Sequence, residues 1–244
     1  MNPFIFEKSN NDLEEKSIRS ITNFISDHFE SMGISYEGKV ILIQNRQIEL
    51  SPIFCPKSQN PQNQYDIIIL NVKNYTYWAQ VIYQLSHEIT HCMVHILSQD
   101  GTNSTPWIEE TICEAMSYYF LCLFSEEWSK CELARERQDY STSIAEYLCN
   151  CLKENVNHRL GMARDVSELI EINNTAQDCR IDRKAEAREL FNIIKANPDN
   201  ILGLMKYRDF IIDNTVLLNT ESYRSSYPVN SAVAYICDIQ DRIM

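Results

Sequence analysis

Residues Tyr77 to Leu97 read YWAQVIYQLSHEITHCMVHIL. The apolar spacing, uninterrupted by Gly or Pro, predicts one helix of about five or six turns that breaks at Asp100-Gly101. Inside it lies His87-Glu88-Ile89-Thr90-His91. Residues four apart project from one helical face, so the imidazoles of His87 and His91 can reach a single metal ion. Glu88 stands beside that face, where its carboxylate can take a proton from an attacking water. Neutral imidazole suits zinc, and a catalytic zinc site has three protein ligands and one open position.

Working outward toward the N-terminus, Tyr65 to Val72 (YDIIILNV) is the clearest strand. Lys39 to Gln44 (KVILIQ) and Gln47 to Phe54 (QIELSPIF) are short, rich in β-branched residues and joined by Asn45-Arg46, a pattern that suits a hairpin. The stretch holding Pro56 and Pro61 reads as a loop. Residues 11 to 31 place Leu13, Ile18, Ile21, Phe24, Ile25 and Phe29 at helical spacing, with Gly33 as the stop. Toward the C-terminus, a helix is predicted from Pro106, a residue suited to the first helical position, with Thr105 as its cap, to about Phe124. Further helices are expected near 127–139, 142–158, 163–172, 180–196, 199–212 and 229–242. The fold class is therefore α+β. An N-terminal lobe (1–100) holds a small sheet and the His-bearing helix, and a mainly helical C-terminal lobe (101–244) completes one compact unit.

Composition narrows the function. The 244 residues include only 5 glycines and 7 prolines, too few for an all-β chain. Against 22 basic residues stand 34 acidic ones, a net charge of −12 that repels phosphate backbones, so no nucleic-acid partner is expected. The densest basic cluster (Arg180, Arg183, Lys184, Arg188) is interleaved with Asp182, Glu186 and Glu189 and reads as a solvated helix face. Nine cysteines without a Cys-x-x-Cys pair read as reduced thiols among apolar residues. The first residues lack the charged and apolar regions of a secretory signal, and no apolar run approaches the roughly 20 residues of a membrane span. A cytoplasmic protein with no membrane partner is expected.

The third ligand is sought downstream. A metzincin requires a histidine at position 97 and a glycine at 94, where this chain has Leu97 and Val94. The segment Trp107-Ile108-Glu109-Glu110-Thr111-Ile112-Cys113-Glu114-Ala115 opens the next helix. Taken with H-E-x-x-H, it resembles the gluzincins, the metallopeptidases that include the thermolysin-like and aminopeptidase-N-like families. In the latter, a W-L-N-E-G-like segment follows the histidines at the same interval. The resemblance covers about residues 65 to 120. It implies a zincin-like fold, one zinc per chain held by His87, His91 and Glu110, and Glu88 as general base. It also implies that Glu114, one turn beyond Glu110, accepts the second ring N–H of His87; a solvated face is the alternative for Glu114. Glu109 reads as a first-turn acid favoured by the helix dipole. His95 reads as a core or supporting histidine, and His28 and His158 have no motif context. By the same resemblance the strand Tyr65 to Val72 borders the cleft, where an extended peptide pairs with its edge; a buried central strand fits the residues equally. Nothing before residue 87 matches the G-x-M-E-N-type segment that binds a free amine, so aminopeptidase specificity is not expected. Tyr223 and Tyr227, in a loop-like stretch, are candidates to stabilise an oxyanion, with structural roles as the alternative.

The function expected is that of a zinc-dependent endopeptidase acting on a restricted intracellular protein substrate. Two other readings stand beside it: a catalytically silent zinc-binding module that captures a peptide, and a helical interaction protein whose motif is accidental.

Overall fold

The computed structural model describes the chain except residues 1–2, 7–10, 37, 46–50, 60–61, 63, 99–103 and 155–156. It is a mixed α and β protein with one four-stranded sheet and a mostly helical remainder. Two compact units are present: Met1–Met93 with Ser117–Lys153, and Val94–Met116 with Glu154–Met244. Two long helices, Trp78–Leu97 and Pro106–Glu127, each run unbroken through both. Among the described residues, no helix is long and apolar enough to cross a membrane.

The first unit is built on the sheet. Strand β1 (Phe4–Phe6) leads into helix α1 (Asp12–Ser31) and returns as β2 (Val40–Asn45), parallel to β1. Helix α1 starts where the Asn11 side chain accepts the N–H groups of Leu13 and Glu14 at 3.0 and 3.4 Å, and it ends at Gly33, whose φ of +76° suits a residue without Cβ. Its buried face is Ile18, Ile21, Ile25 and Phe29. Strands β3 (Ile53–Cys55) and β4 (Asp66–Asn71) complete the order β1-β2-β4-β3.

That order corrects the hairpin expectation. β2 pairs in parallel with β4, and β3 pairs antiparallel with the other side of β4, Phe54 opposite Ile68. Residues 46–50 and Asp100-Gly101 lie outside the described residues. Of the two readings of Tyr65 to Val72, the central strand is the one found: β4 is interior, and β3 is the edge beside it. In-register residues share a face, so Val40, Leu42, Ile68 and Leu70 form one buried layer. The charge in that layer, Asp66, is satisfied by the Lys57 N–H at 2.6 Å and the Tyr36 hydroxyl.

Helix α2 (Trp78–Leu97) is fastened to the end of β4. The Gln84 side chain accepts the N–H of Asn71 at 3.0 Å and donates to its carbonyl at 3.1 Å. This two-point bond fixes the rotation of α2 one turn before its histidines. Helix α4 (Tyr140–Lys153) packs on α2 through Tyr140 on Trp78 and Tyr147 on Tyr83. Helix α3 (Pro106–Glu127) is buried at every residue from Trp107 to Cys122, so it has no polar face. Within this unit α2 and α3 meet at Tyr83 and Tyr118, ring centroids 6.4 Å apart. The helix expected at 127–139 is two 3-10 turns, Trp128–Lys130 and Glu132–Arg135, divided by extended Cys131.

In the second unit the remaining helices are α5 (Val166–Thr175), α6 (Lys184–Ala196), α7 (Asn200–Met205), α8 (Thr220–Ser226) and α9 (Ser231–Asp241). Helix α9 packs against α6, α7 and α8. The stretch expected as loop contains α8, and the helix expected at 199–212 is α7 followed by a 3-10 turn, Tyr207–Phe210. Gly203 sits where a Cβ would strike the Asn230 side chain, which is itself held to the Asn200 carbonyl at 3.0 Å, and would crowd Val233. Gly203→Ala should therefore lower stability by about 1–3 kcal/mol, the range for overpacking. An unchanged urea midpoint would show that Asn230 gives way freely.

Candidate metal centre

The chemistry of α2 depends on how its polar residues are accommodated. His87 and Glu88 are each only 2% exposed, while His91 is half-buried. Neighbouring hydroxyls turn inward on the helix: Ser86 donates to Ile82 and Thr90 to Ser86, both at 2.7 Å. With their polar needs met locally, they allow the helix to bury this face. The rings of His87 and His91 stand 5.1 Å apart at 64°, two imidazoles on one stripe, as the four-residue spacing requires. His95 continues that stripe by a turn and is half-buried.

His87, His91 and Cys113 form a group whose ligand atoms all lie within 4.8 Å of one another. Around a zinc ion with bonds of about 2.0–2.3 Å, tetrahedral donors stand roughly 3.5 Å apart, so the group is slightly open for an ion. Two imidazoles and a thiol are a chemically suitable donor set for zinc.

Glu110, the ligand implied by the resemblance, is outside that group of three. Its carboxylate meets Arg183, Nη2 to Oε2 at 3.0 Å, with side chains 9% and 1% exposed. Arg183 also donates to the carbonyls of Ala176 and Cys179. The basic cluster read as a solvated face is thus wrong for Arg183, which stands at the start of α6 and is buried. Glu109 is likewise more than a first-turn acid. Arg208 grips both its oxygens at 2.7–2.9 Å, and the buried Tyr207 hydroxyl donates to it. Burial and the Glu109 charge together push the Tyr207 phenol well above its usual range.

The start of α3 is capped from a distance. Thr105 accepts the N–H groups of Ile108 and Glu109 on its backbone carbonyl, but its buried hydroxyl makes no hydrogen bond. The side chain of Asn173, on α5, accepts the Trp107 N–H at 3.3 Å. Trp107 itself is fully buried, with its indole donating to Val216 O at 3.0 Å. Glu114 is fully buried too, which removes the solvated-face reading.

Other candidates find structural places. Tyr223 lies in α8, fully buried, its hydroxyl on Gly203 O at 2.9 Å, and Tyr227 packs edge-on against it. His28 bonds Tyr119 at 2.8 Å; burial holds its pKa below the usual value despite the Glu127 charge. Cys55 on β3 feels Glu88: burial first and that charge second push its thiol up. Sequence reasoning missed the burial of Arg183 against Glu110. The one usable signal was its place in a basic cluster interleaved with acids, a pattern that fits buried ion pairs as well as a solvated face.

Comparison of the chain with models of protein families, with curated proteins and with solved structures returns no match.

Proposed function

We propose that this protein is a zinc-dependent peptidase of zincin-like fold, in which His87 and His91 bind the metal, α3 supplies the third ligand and Glu88 is the general base. The observation that carries this reading is the pairing of His87 and His91 on one stripe of α2, with the buried acid Glu88 beside the first histidine. A site that only stabilised the fold would have no use for that acid.

Zinc, when bound, supplies Lewis-acid polarisation of the scissile carbonyl and lowers the pKa of a coordinated water toward about 7. The rest falls to the chain. His87 and His91 bind through neutral imidazole nitrogens. Glu88 takes the proton of the attacking water and delivers it to the leaving amine nitrogen, the two halves of general base and general acid work. It is held for this by the Gln84–Asn71 bond, since Gln84 lies four residues earlier on the same face. For the peptide, the edge of β3 replaces the strand named from sequence, because β4 is covered on both sides. An acidic chain with nine cysteines and no Cys-x-x-Cys pair fits a cytoplasmic endopeptidase with a restricted protein substrate better than a digestive one.

The test is metal content beside hydrolysis. Purified protein should carry one zinc per chain, His87→Ala should lose it, and cleavage of a mixed peptide library should stop on chelation and return with zinc. Wild-type protein that takes up no zinc, or that keeps full cleavage in His87→Ala, would refute the reading.

A further inference from the structure

We infer that Glu186 is a proton-operated clasp, which in its neutral form holds segment 157–164 against the start of α6 and in its ionised form lets that segment loosen. Every group involved lies in the second unit. The segment is fastened first to the turn that leads into α6. There the Asn157 N–H donates to Ile181 O at 3.2 Å and the Leu160 N–H to Asp182 O at 3.0 Å. The Asp182 carboxylate accepts Asn157 Nδ2 at 2.9 Å and Arg159 Nη1 at 3.0 Å. The last attachment is Glu186 itself. Its carboxylate accepts the Gly161 N–H, and Oε1 stands so close to Gly161 that a Cβ there would strike it.

A charge is costly in this position. Glu186 is 5% exposed, and its buried Oε2 has no hydrogen-bond partner among the described residues. Such a carboxylate is penalised far more than the neutral acid. Two cations oppose the penalty, His158 on the segment itself and Arg242 just beyond α9, but both are exposed and therefore screened. Burial outweighs them and pushes the Glu186 carboxyl above its ordinary range. From α9, Tyr235 also faces this carboxyl: burial first, then the charges of Glu186 and Glu189, push its phenol up. An acid whose pKa is higher in the closed segment than in the open one holds the segment most firmly below its ordinary pKa. That extra hold is lost as pH rises from there through the raised value. The same turn carries Arg183, whose guanidinium balances Glu110 on α3, so the clasp adjoins the anchor of that helix.

Amide hydrogen exchange of the full-length protein reads the clasp, because local opening exposes the Asn157 and Leu160 amides that bond the turn before α6. After correction for the intrinsic pH dependence of exchange, their protection should fall at least threefold between pH 4 and pH 8. Glu186→Gln, neutral at every pH, should keep the high protection and lose the fall. Asp182 and Arg159 are unchanged in that variant, so the difference belongs to Glu186. His158→Ala and Arg242→Met each remove a cation that favours the carboxylate, and each should move the midpoint of the fall to higher pH. Gly161→Ala, which drives the carboxyl from its seat, should also abolish the fall, and it decides the matter should Glu186→Gln fail to fold. Wild-type protection that is flat or rises with pH would overturn the clasp. So would a fall of equal size in Glu186→Gln or Gly161→Ala, or a midpoint moved to lower pH by removal of either cation.

Discussion

Glu88→Gln is expected to bind zinc with wild-type stoichiometry and to cleave peptides about 10²–10⁴-fold more slowly, the span that general acid–base catalysis contributes. The substitution changes one atom group and little else. Glutamine matches glutamate in length and in helix propensity, so α2 and its bond to Asn71 should persist. What disappears is the capacity to accept a proton. Because residue 88 is 2% exposed, bulk water is poorly placed to substitute for the missing base. Metal analysis and a peptide cleavage assay on the same preparation separate the possibilities. Unchanged cleavage would show that some other group moves the proton. Loss of zinc together with activity would show that Glu88 holds the site together instead of working in it.

The largest effect on stability is expected at Glu109. Its side chain is 8% exposed and accepts Nε–H and Nη2–H of Arg208 as well as the Tyr207 hydroxyl, whose oxygen in turn accepts the Thr105 N–H at 3.3 Å. Glu109→Ala removes the anion and leaves the guanidinium buried, which should cost about 3–5 kcal/mol. For a chain of this length that lowers the melting temperature by on the order of 10 °C. Replacing both partners, as in Glu109→Leu with Arg208→Met, should cost less than the single change, because no charge is then stranded. Urea unfolding of the three proteins gives the comparison. If Glu109→Ala loses under 1 kcal/mol, or if the double replacement is the worse of the two, the pair does not anchor α3 as described.

The two glutamates at the start of α3 show where reading by residue pattern stops. Adjacent acids at a helix N-terminus have a sufficient local explanation in the helix dipole, and nothing nearby in sequence contradicts it. Their partners, Arg208 and Arg183, are 99 and 73 positions away. The same limit explains the sheet. Short apolar runs at 39–44 and 47–54 have the composition of a hairpin, but strand order follows from which faces can be buried together. Here β4 takes the place between them. Asn173 capping α3 in place of Thr105 is a third case: the orphan N–H groups need an acceptor, and the one that serves comes from another helix.

By itself the sequence determined the extent of α1 and α2, the pairing of His87 with His91 on one stripe, and the position of Glu88 beside them. Each of these depends on the 3.6-residue turn and on caps within a few residues, so local spacing suffices. What only the tertiary structure decided is how the charges at the start of α3 are balanced. Buried arginines must keep their counter-charges, and the chain meets that need for Arg183 with Glu110 and for Arg208 with Glu109, 73 and 99 positions apart.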